Sequence, residues 1–247
     1  MLKLSLIIPA YNEAEGVQQT VSRLRPVLAD LGDTYDLEVI FVDDGSVDTT
    51  ADQLRAAFAN DRFVKVVPHG VNKGLGAAVR TGFEHASGDF IVTTDFDGTY
   101  SFDTIPLMIQ TLIRDNADII TASPYHPQGD VEGVPRARLL FSFGASTFYR
   151  LLVKWHIHTW TALFRVYRRS VIQTVSHETN GFLVNTELMV NALDAGFRVI
   201  EYPTVLHQRE YGQSSMKVAR VTTTHLKYIA TLPWRRKPSV KPGSISV

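Results

Sequence analysis

GDFIVTTDFDG, residues 88–98, places a run of apolar and β-branched side chains in front of two acids that flank a phenylalanine. Residues 88–95 read as a strand leaving a core. An extended chain points residues i and i+2 the same way, so Asp95 and Asp97 are expected on one side of the strand's carboxyl end. Two like charges that close repel, and a cation or a row of hydrogen-bond donors must stand near them if both stay ionised.

The segments around this strand repeat its plan. LKLSLIIP at 2–9 reads as a strand, and residues 14–30 as a helix with Val17, Val21, Leu24 and Leu28 on one face. DLEVIFVDD ends a second strand at Asp43 and Asp44, and Ser46 is placed to cap the helix that follows. FVKVVPH at 63–69 is a third strand, GLGAAVRTGFEHA a third helix, and a helix near 104–115 with Pro106 in its first turn precedes the strand ADIITAS. Strands alternating with helices of this length predict an α/β domain, its largely parallel sheet covered on both faces. In such sheets ligands bind at the carboxyl ends of the strands. Tyr11, Asn12 and Glu13 fall there, as do Asp43 and Asp44, Asn72 and Lys73, and the pair Asp95 and Asp97.

The second half is less regular. SPYHPQGDVEGVPR is a Gly/Pro-rich loop, residues 136–154 an amphipathic helix, and WTALFRVYRRSVI a strand running into a helix. NTELMVNALDAG is a helix closed by Gly196, FRVIEYPTVL a strand, and SSMKVARVTTTHLKYIATLP a basic amphipathic helix. One domain is expected over 1–232, its first part to residue 122 and its second from 123, with a polar tail over 233–247.

Lys+Arg and Asp+Glu number 25 each, so no overall charge bias favours nucleic acid, and any basic site is local. Cysteine is absent, which removes disulfides, thiolate nucleophiles and cysteine metal sites together. The start, MLKLSLIIPAYNE, has too short an apolar run for a signal peptide, so a cytoplasmic location is expected. The most apolar later stretch, LLFSFGASTFY, falls short of the ~20 residues a membrane span needs.

An acidic pair at a strand end suits Mg²⁺ or Mn²⁺, hard cations that take oxygen ligands and share them with substrate phosphates. Glu13, Asp43 and Asp44 can then accept hydrogen bonds from a nucleobase and ribose. GLGAAV at 74–79 has Val79 at the third glycine position and follows a third strand, so it is not read as a dinucleotide loop. There is no GxxxxGK[ST] and no GxSxG. Among the histidines, His207 is a better metal candidate than His156 or His158. Most second-half basic residues, Arg165, Arg168 and Arg169 among them, read as a solvated face. Arg209, in the Gly/Ser-rich REYGQSSMK, suits phosphate binding and closure over a diphosphate.

IIPAYNE, VDDGSVDTT, NKGLGAAVRTGF, the DFD segment and FRVYRR, in this order, resemble the family 2 glycosyltransferases of the GT-A fold. Within that family the chain is most similar to the polyprenyl-phosphate hexose synthases, over roughly residues 2–230. The resemblance implies a nucleotide-sugar donor whose nucleoside is held by Pro9, Ala10, Tyr11, Asn12, Glu13, Asp43, Asp44 and Lys73. It implies a Mg²⁺ or Mn²⁺ ion on Asp95 and Asp97 that binds the diphosphate, with Arg209 beside it; Asp97 and Arg209 are the expected catalytic residues. Arg138, Ser142 and Lys217 are the expected contacts of an acceptor phosphate on a polyprenyl chain.

The chain departs from the synthases at several places. DFDGTY replaces a DAD segment, with Thr99 as the later candidate ligand; Pro124 replaces an arginine; Thr159 replaces an acid; and Ser215 precedes Lys217 where a lysine is usual. The implied reaction is displacement at the anomeric carbon with inversion. A hydroxyl acceptor on a glycan, glycolipid or small molecule is the alternative and would need a base, for which Glu187 and Asp130 are candidates. A nucleotide-sugar-binding protein without turnover is the lesser alternative. Leu226, Tyr228, Ile229 and Trp234 with Arg235, Arg236 and Lys237 form an edge that fits peripheral contact with a membrane face.

Overall fold

The computed structural model describes residues 1–134, 136–154, 156–211 and 218–232. In chain order, the first half runs β1 (Lys3–Ala10), α1 (Val17–Gly32), β2 (Asp36–Asp43), α2 (Thr50–Ala57), β3 (Val64–Pro68), α3 (Leu75–His85), β4 (Phe90–Thr93), α4 (Thr104–Arg114) and β5 (Ile119–Ser123). The second half runs β6 (Asp130–Glu132), α5 (Arg136–Leu152), β7 (Arg165–Arg168), α6 (Arg169–Thr174), α7 (Val184–Asp194), β8 (Val199–Pro203), β9 (Val205–His207) and α8 (Val218–Thr231).

Seven strands form one sheet in the order β3-β2-β1-β4-β7-β5-β8. All pairs are parallel except those of β7, which runs antiparallel between β4 and β5. The remaining six strands therefore bring their carboxyl ends to one edge. Alternation along them feeds two cores. Leu4, Leu6, Ile8, Val39, Phe41, Phe90 and Val92 pack with α1 and α4 on one face. Ile7, Ile40, Val42 and Ile91 pack with α3, α6 and α7 on the other. Val17, Val21, Leu24 and Leu28 are buried, as the helical period of α1 requires. Truncating a fully buried side chain such as Leu24 to alanine costs about 2–5 kcal/mol.

Several elements differ from their sequence reading. β4 stops at Thr93, so Asp95 and Asp97 sit in the turn beyond it. Ser46 does not cap α2: its hydroxyl accepts the Asn12 N–H at 2.9 Å, and Asp48 takes the Thr50 N–H at 3.0 Å. FRVIEYPTVL divides after Pro203 into β8, in the large sheet, and β9. β9 pairs with β6, which forms inside the stretch read as loop. The tail expected over 233–247 lies outside the described residues.

The GLGAAV glycines serve close packing. A Cβ on Gly76 would stand 2.0 Å from the Thr179 carbonyl oxygen, and Gly74 lies at φ 98° with its missing Cβ 2.4 Å from the Asn180 oxygen. The Gly76 N–H donates to Asn180 O at 2.7 Å, and Arg80 donates to the His177 and Glu178 carbonyls. The start of α3 is thereby clamped to the 177–180 segment of the second half.

Candidate active site at the carboxyl edge of the sheet

The turns after β1 and β2 are stitched together. Asn12 adopts φ 54°, its N–H donates to Ser46, and its side-chain oxygen accepts the Val47 N–H at 2.9 Å. The Glu13 N–H donates to Thr50 Oγ1 at 2.8 Å. Asp43 is buried and accepts the Ser46 N–H through Oδ1. Asp44 is turned to the protein itself: its carboxylate accepts the Lys73 and Gly74 N–H groups at 2.9 and 2.8 Å and pairs with His69 Nδ1 at 2.7 Å. It thus shapes the 69–74 loop, and the Lys73 side chain stands exposed on that loop.

The DFD turn is aimed by burial. Phe96 is 3% exposed in the core against Phe41, and its carbonyl accepts the Thr20 hydroxyl of α1 at 2.9 Å. Asp95 and Asp97, on either side of it, are half-buried. Asp97 Oδ1 accepts the Thr99 N–H at 3.1 Å, and Gly98 takes φ 64° to close the turn. Thr99 itself is buried, and its carbonyl accepts the His207 N–H at 2.8 Å, which ties the DFD turn to β9.

From β9 the chain delivers Arg209. Its guanidinium pairs with Glu13, stands 3.6 Å from Asp97 Oδ2, and donates to the Tyr211 carbonyl at 2.6 Å. Glu13, Asp97 and Tyr211 line one small pocket with Gln19 and Thr20. Burial pushes the Glu13 carboxyl up to about 7; Arg209 opposes the rise, and the facing carboxylates of Asp97 and Asp48 add to it. Gln19 escaped the sequence reading; its Oε1 is buried without a hydrogen-bond partner among the described residues and borders this pocket.

Of the residues expected to contact an acceptor phosphate, Ser142 of α5 shares a hydrogen bond with Thr161 at 2.7 Å. The side chain of Arg138 and all of Lys217 lie outside the described residues. Glu187 is buried in the first turn of α7 and accepts the Glu178 and Thr179 N–H groups, so its carboxylate is committed to backbone donors. Asp130 is exposed on β6. Arg165, read as a surface cation, is 1% exposed and donates to Thr121 and to the Trp160 and Asn185 carbonyls. Arg168 and Arg169 donate to the Ala117 and Ser87 carbonyls, and Arg168 pairs with Phe90 at the amino end of β4, opposite the end that leads to the acidic turn. His207 pairs with Glu132 at 3.2 Å, and no group of three or more metal-ligating side chains occurs among the described residues.

A sheet with acids gathered at the ends of β1, β2 and β4, and an arginine returning from the second half, defines the chain as an α/β protein of the GT-A type. The same architecture occurs in crystal structures of glucosyl-3-phosphoglycerate synthase from Mycobacterium tuberculosis. One, with Mn²⁺, UDP and glucosyl-3-phosphoglycerate, superposes with a TM-score of 0.69 at 18% identity, over 92% of this chain and 80% of that one. Another holds Mg²⁺ and UDP. Residues 5–176 match glycosyl transferase family 2, and the chain belongs to that family. It is a glycosyltransferase. It is 31% identical over 231 residues to the polyprenol monophosphomannose synthase of Mycolicibacterium smegmatis, across 90% of this chain and 84% of that one. It is 28% identical to the undecaprenyl-phosphate mannosyltransferase of Micrococcus luteus, across 87% and 88%. It is 32% identical to the dolichol-phosphate mannosyltransferase of Pyrococcus furiosus, across 94% of this chain and 64% of that one.

Proposed function

We propose that this chain moves a hexosyl group from a nucleoside diphosphate sugar to a polyprenyl phosphate, inverting the anomeric carbon. The observation that carries the reading is Arg209 standing between Glu13 and Asp97: a cation from the second half reaches the acids of the first, where a diphosphate would lie. Three relatives named for mannosyl transfer to lipid phosphates support the acceptor class.

Pro9, Ala10, Tyr11, Asn12 and Asp43 would hold the nucleoside together with Lys73, whose loop Asp44 fixes. Asp95 and Asp97 fit Mg²⁺ or Mn²⁺. The buried Phe96 fixes the turn that carries them, and a hard cation of this kind would take carboxylate and phosphate oxygens as ligands. When bound, the ion offsets charge developing on the leaving diphosphate. Arg209 supplies a second positive group there, already aimed by Glu13 and by the Tyr211 carbonyl.

A hydroxyl acceptor would need a general base. Glu187 is occupied by backbone donors and Asp130 is exposed on β6, whereas a phosphate acceptor is already anionic and needs none. Ser142 and Thr161 offer it hydroxyls. The polyprenyl chain is accommodated at a membrane surface by α5, whose Phe143, Phe148, Leu151 and Leu152 are exposed.

The test is transfer of label from GDP-mannose and UDP-glucose into an organic-extractable product, with purified protein, Mg²⁺ or Mn²⁺, and a polyprenyl phosphate. Acid-labile label in the lipid phase is expected. Donor turnover with label only in water-soluble glycan would overturn the lipid-phosphate reading.

A further inference from the structure

Glu201 on the edge strand β8 is an acid in an otherwise apolar run, and its side chain is only 6% exposed. Its Oε1 accepts the backbone N–H groups of His158 and Thr159 at 2.8 Å each, and the Ser123 hydroxyl at 2.7 Å. Its Oε2 pairs with His158 Nδ1 at 2.7 Å. A buried carboxylate is costly unless it is paired and hydrogen-bonded, and here it gathers donors from β5 and from the 158–159 segment.

The donors have a direction. Ser123 has one hydroxyl proton and gives it to Glu201, so in its 2.7 Å contact with Thr159 it accepts the Thr159 proton. The Thr159 oxygen in turn faces the Tyr125 N–H at 3.4 Å. Beyond Thr159 the segment continues into the acceptor wall. The Trp160 N–H donates to Ser146 of α5 at 3.2 Å, the Thr161 carbonyl accepts from Asn185 of α7 at 2.9 Å, and the Thr161 hydroxyl meets Ser142. The carboxylate on β8 thus anchors one end of the segment whose other end carries Thr161.

We propose that Glu201 is the positioning residue of the acceptor wall: through Ser123, His158 and Thr159 it sets where Thr161 and Ser142 meet the acceptor. The proposal rests on the acceptor reading above. Glu201 lies outside the donor-binding turns, so its effect falls on acceptor use and spares nucleotide binding.

Two variants test it. Glu201→Ala leaves two backbone donors and a hydroxyl without their acceptor, and a rise of about tenfold in acceptor KM is expected. The Kd of a nucleoside diphosphate with Mn²⁺ should stay unchanged. Glu201→Gln keeps an oxygen for the same three donors and should restore acceptor KM to within about threefold of the parent. Hydrogen exchange in the protein without substrate gives a second readout. The His158 and Thr159 amides should exchange faster in Glu201→Ala and return to parental rates in Glu201→Gln. The proposal is overturned if Glu201→Ala weakens nucleotide binding as much as acceptor use, if acceptor KM is unmoved, or if Glu201→Gln rescues neither readout. Failure of the parent protein to label any polyprenyl phosphate would sink the acceptor reading; unchanged exchange at His158 and Thr159 would sink the Glu201 clamp.

Discussion

At the level of single residues, the site is a balance of three charged side chains, and Arg209 is shared between the other two. Asp97→Asn keeps an oxygen for the Thr99 N–H but loses the charge that a divalent ion requires. The parent should be stabilised by a nucleoside diphosphate with Mn²⁺, by about 2.7 kcal/mol at a hundredfold excess over Kd, and Asp97→Asn should lose that gain in a thermal-shift titration. A retained shift would remove Asp97 from the metal site. Glu13 carries a pH signature. Burial raises its pKa from 4.5 to about 7, so the folded protein holds this proton more tightly than the unfolded chain. The unfolded chain then binds fewer protons between those pH values; the contribution is fully present below pH 4.5 and is lost as pH rises through 7. Glu13→Gln, which stays neutral, should flatten the pH dependence of stability in that window by about 1–3 kcal/mol. Denaturant melts of the free protein at pH 4.5 and 7.5 read it, and parallel curves would show that Glu13 does not titrate there.

Secondary-structure elements were legible in the sequence where one physical signal dominated. β1, β2 and β4 are buried on both faces, so their apolar runs stand out, and the helical period of α1 matches its buried residues. The acids at their ends were legible because a polar residue closing a buried strand has few other reasons to be there. β6 was not, and β9 was read only as a continuation of β8, since each has three residues and no fully buried side chain, and their pairing joins segments far apart in the chain. β7 was legible as a strand running into a helix, but its antiparallel direction was not, since that depends on partners rather than on local pattern. Glu201 was within reach, as a lone acid inside an apolar strand. The glycines of 74–79 share the composition of a ligand loop, a reading that Val79 and the preceding third strand already spoke against, because close approach of a backbone and close approach of a phosphate demand the same residue. That equivalence can be separated by experiment. Gly76→Ala drives a Cβ against the Thr179 carbonyl and should destabilise by about 2–3 kcal/mol, without any ligand present. Gly144→Ala, on α5 where the new Cβ meets nothing within 4 Å, should instead stabilise by about 0.5–1 kcal/mol. Urea denaturation of the two variants side by side decides it, and equal effects would refute the packing account of the α3 clamp.

Across the whole molecule, the distribution of exposed apolar surface is uneven. Phe143, Phe148, Leu151 and Leu152 of α5 are each more than half exposed, while Ala145, Ser146 and Tyr149 of the same helix face inward. α8 lies alongside, held by the 3.0 Å contact of Tyr149 with His225 and by the Tyr149–Tyr228 ring pair, and adds the exposed Leu226. Lys154, Arg220 and Lys227 are exposed close by in the chain. Trp234 and the basic residues after it, expected at the same edge, lie outside the described residues. No helix among the described residues is long and apolar enough to cross a membrane. Apolar side chains that enter the headgroup region gain part of the ~1.5–3 kcal/mol of full burial, and nearby cations favour anionic lipid. Flotation should therefore carry the protein with vesicles containing an anionic phospholipid. Replacing both Phe148 and Leu151 with aspartate should lower the bound fraction by about tenfold or more, from lost burial and added repulsion. Nucleotide binding should be unaffected, because these side chains point away from the core and are remote in the chain from the Glu13–Arg209–Asp97 site. If the double variant floats like the parent, the apolar face of α5 has another use. If it loses vesicle binding and also loses transfer to a long-chain polyprenyl phosphate, while retaining transfer to a short, soluble one, the membrane and the acceptor wall act through the same helix.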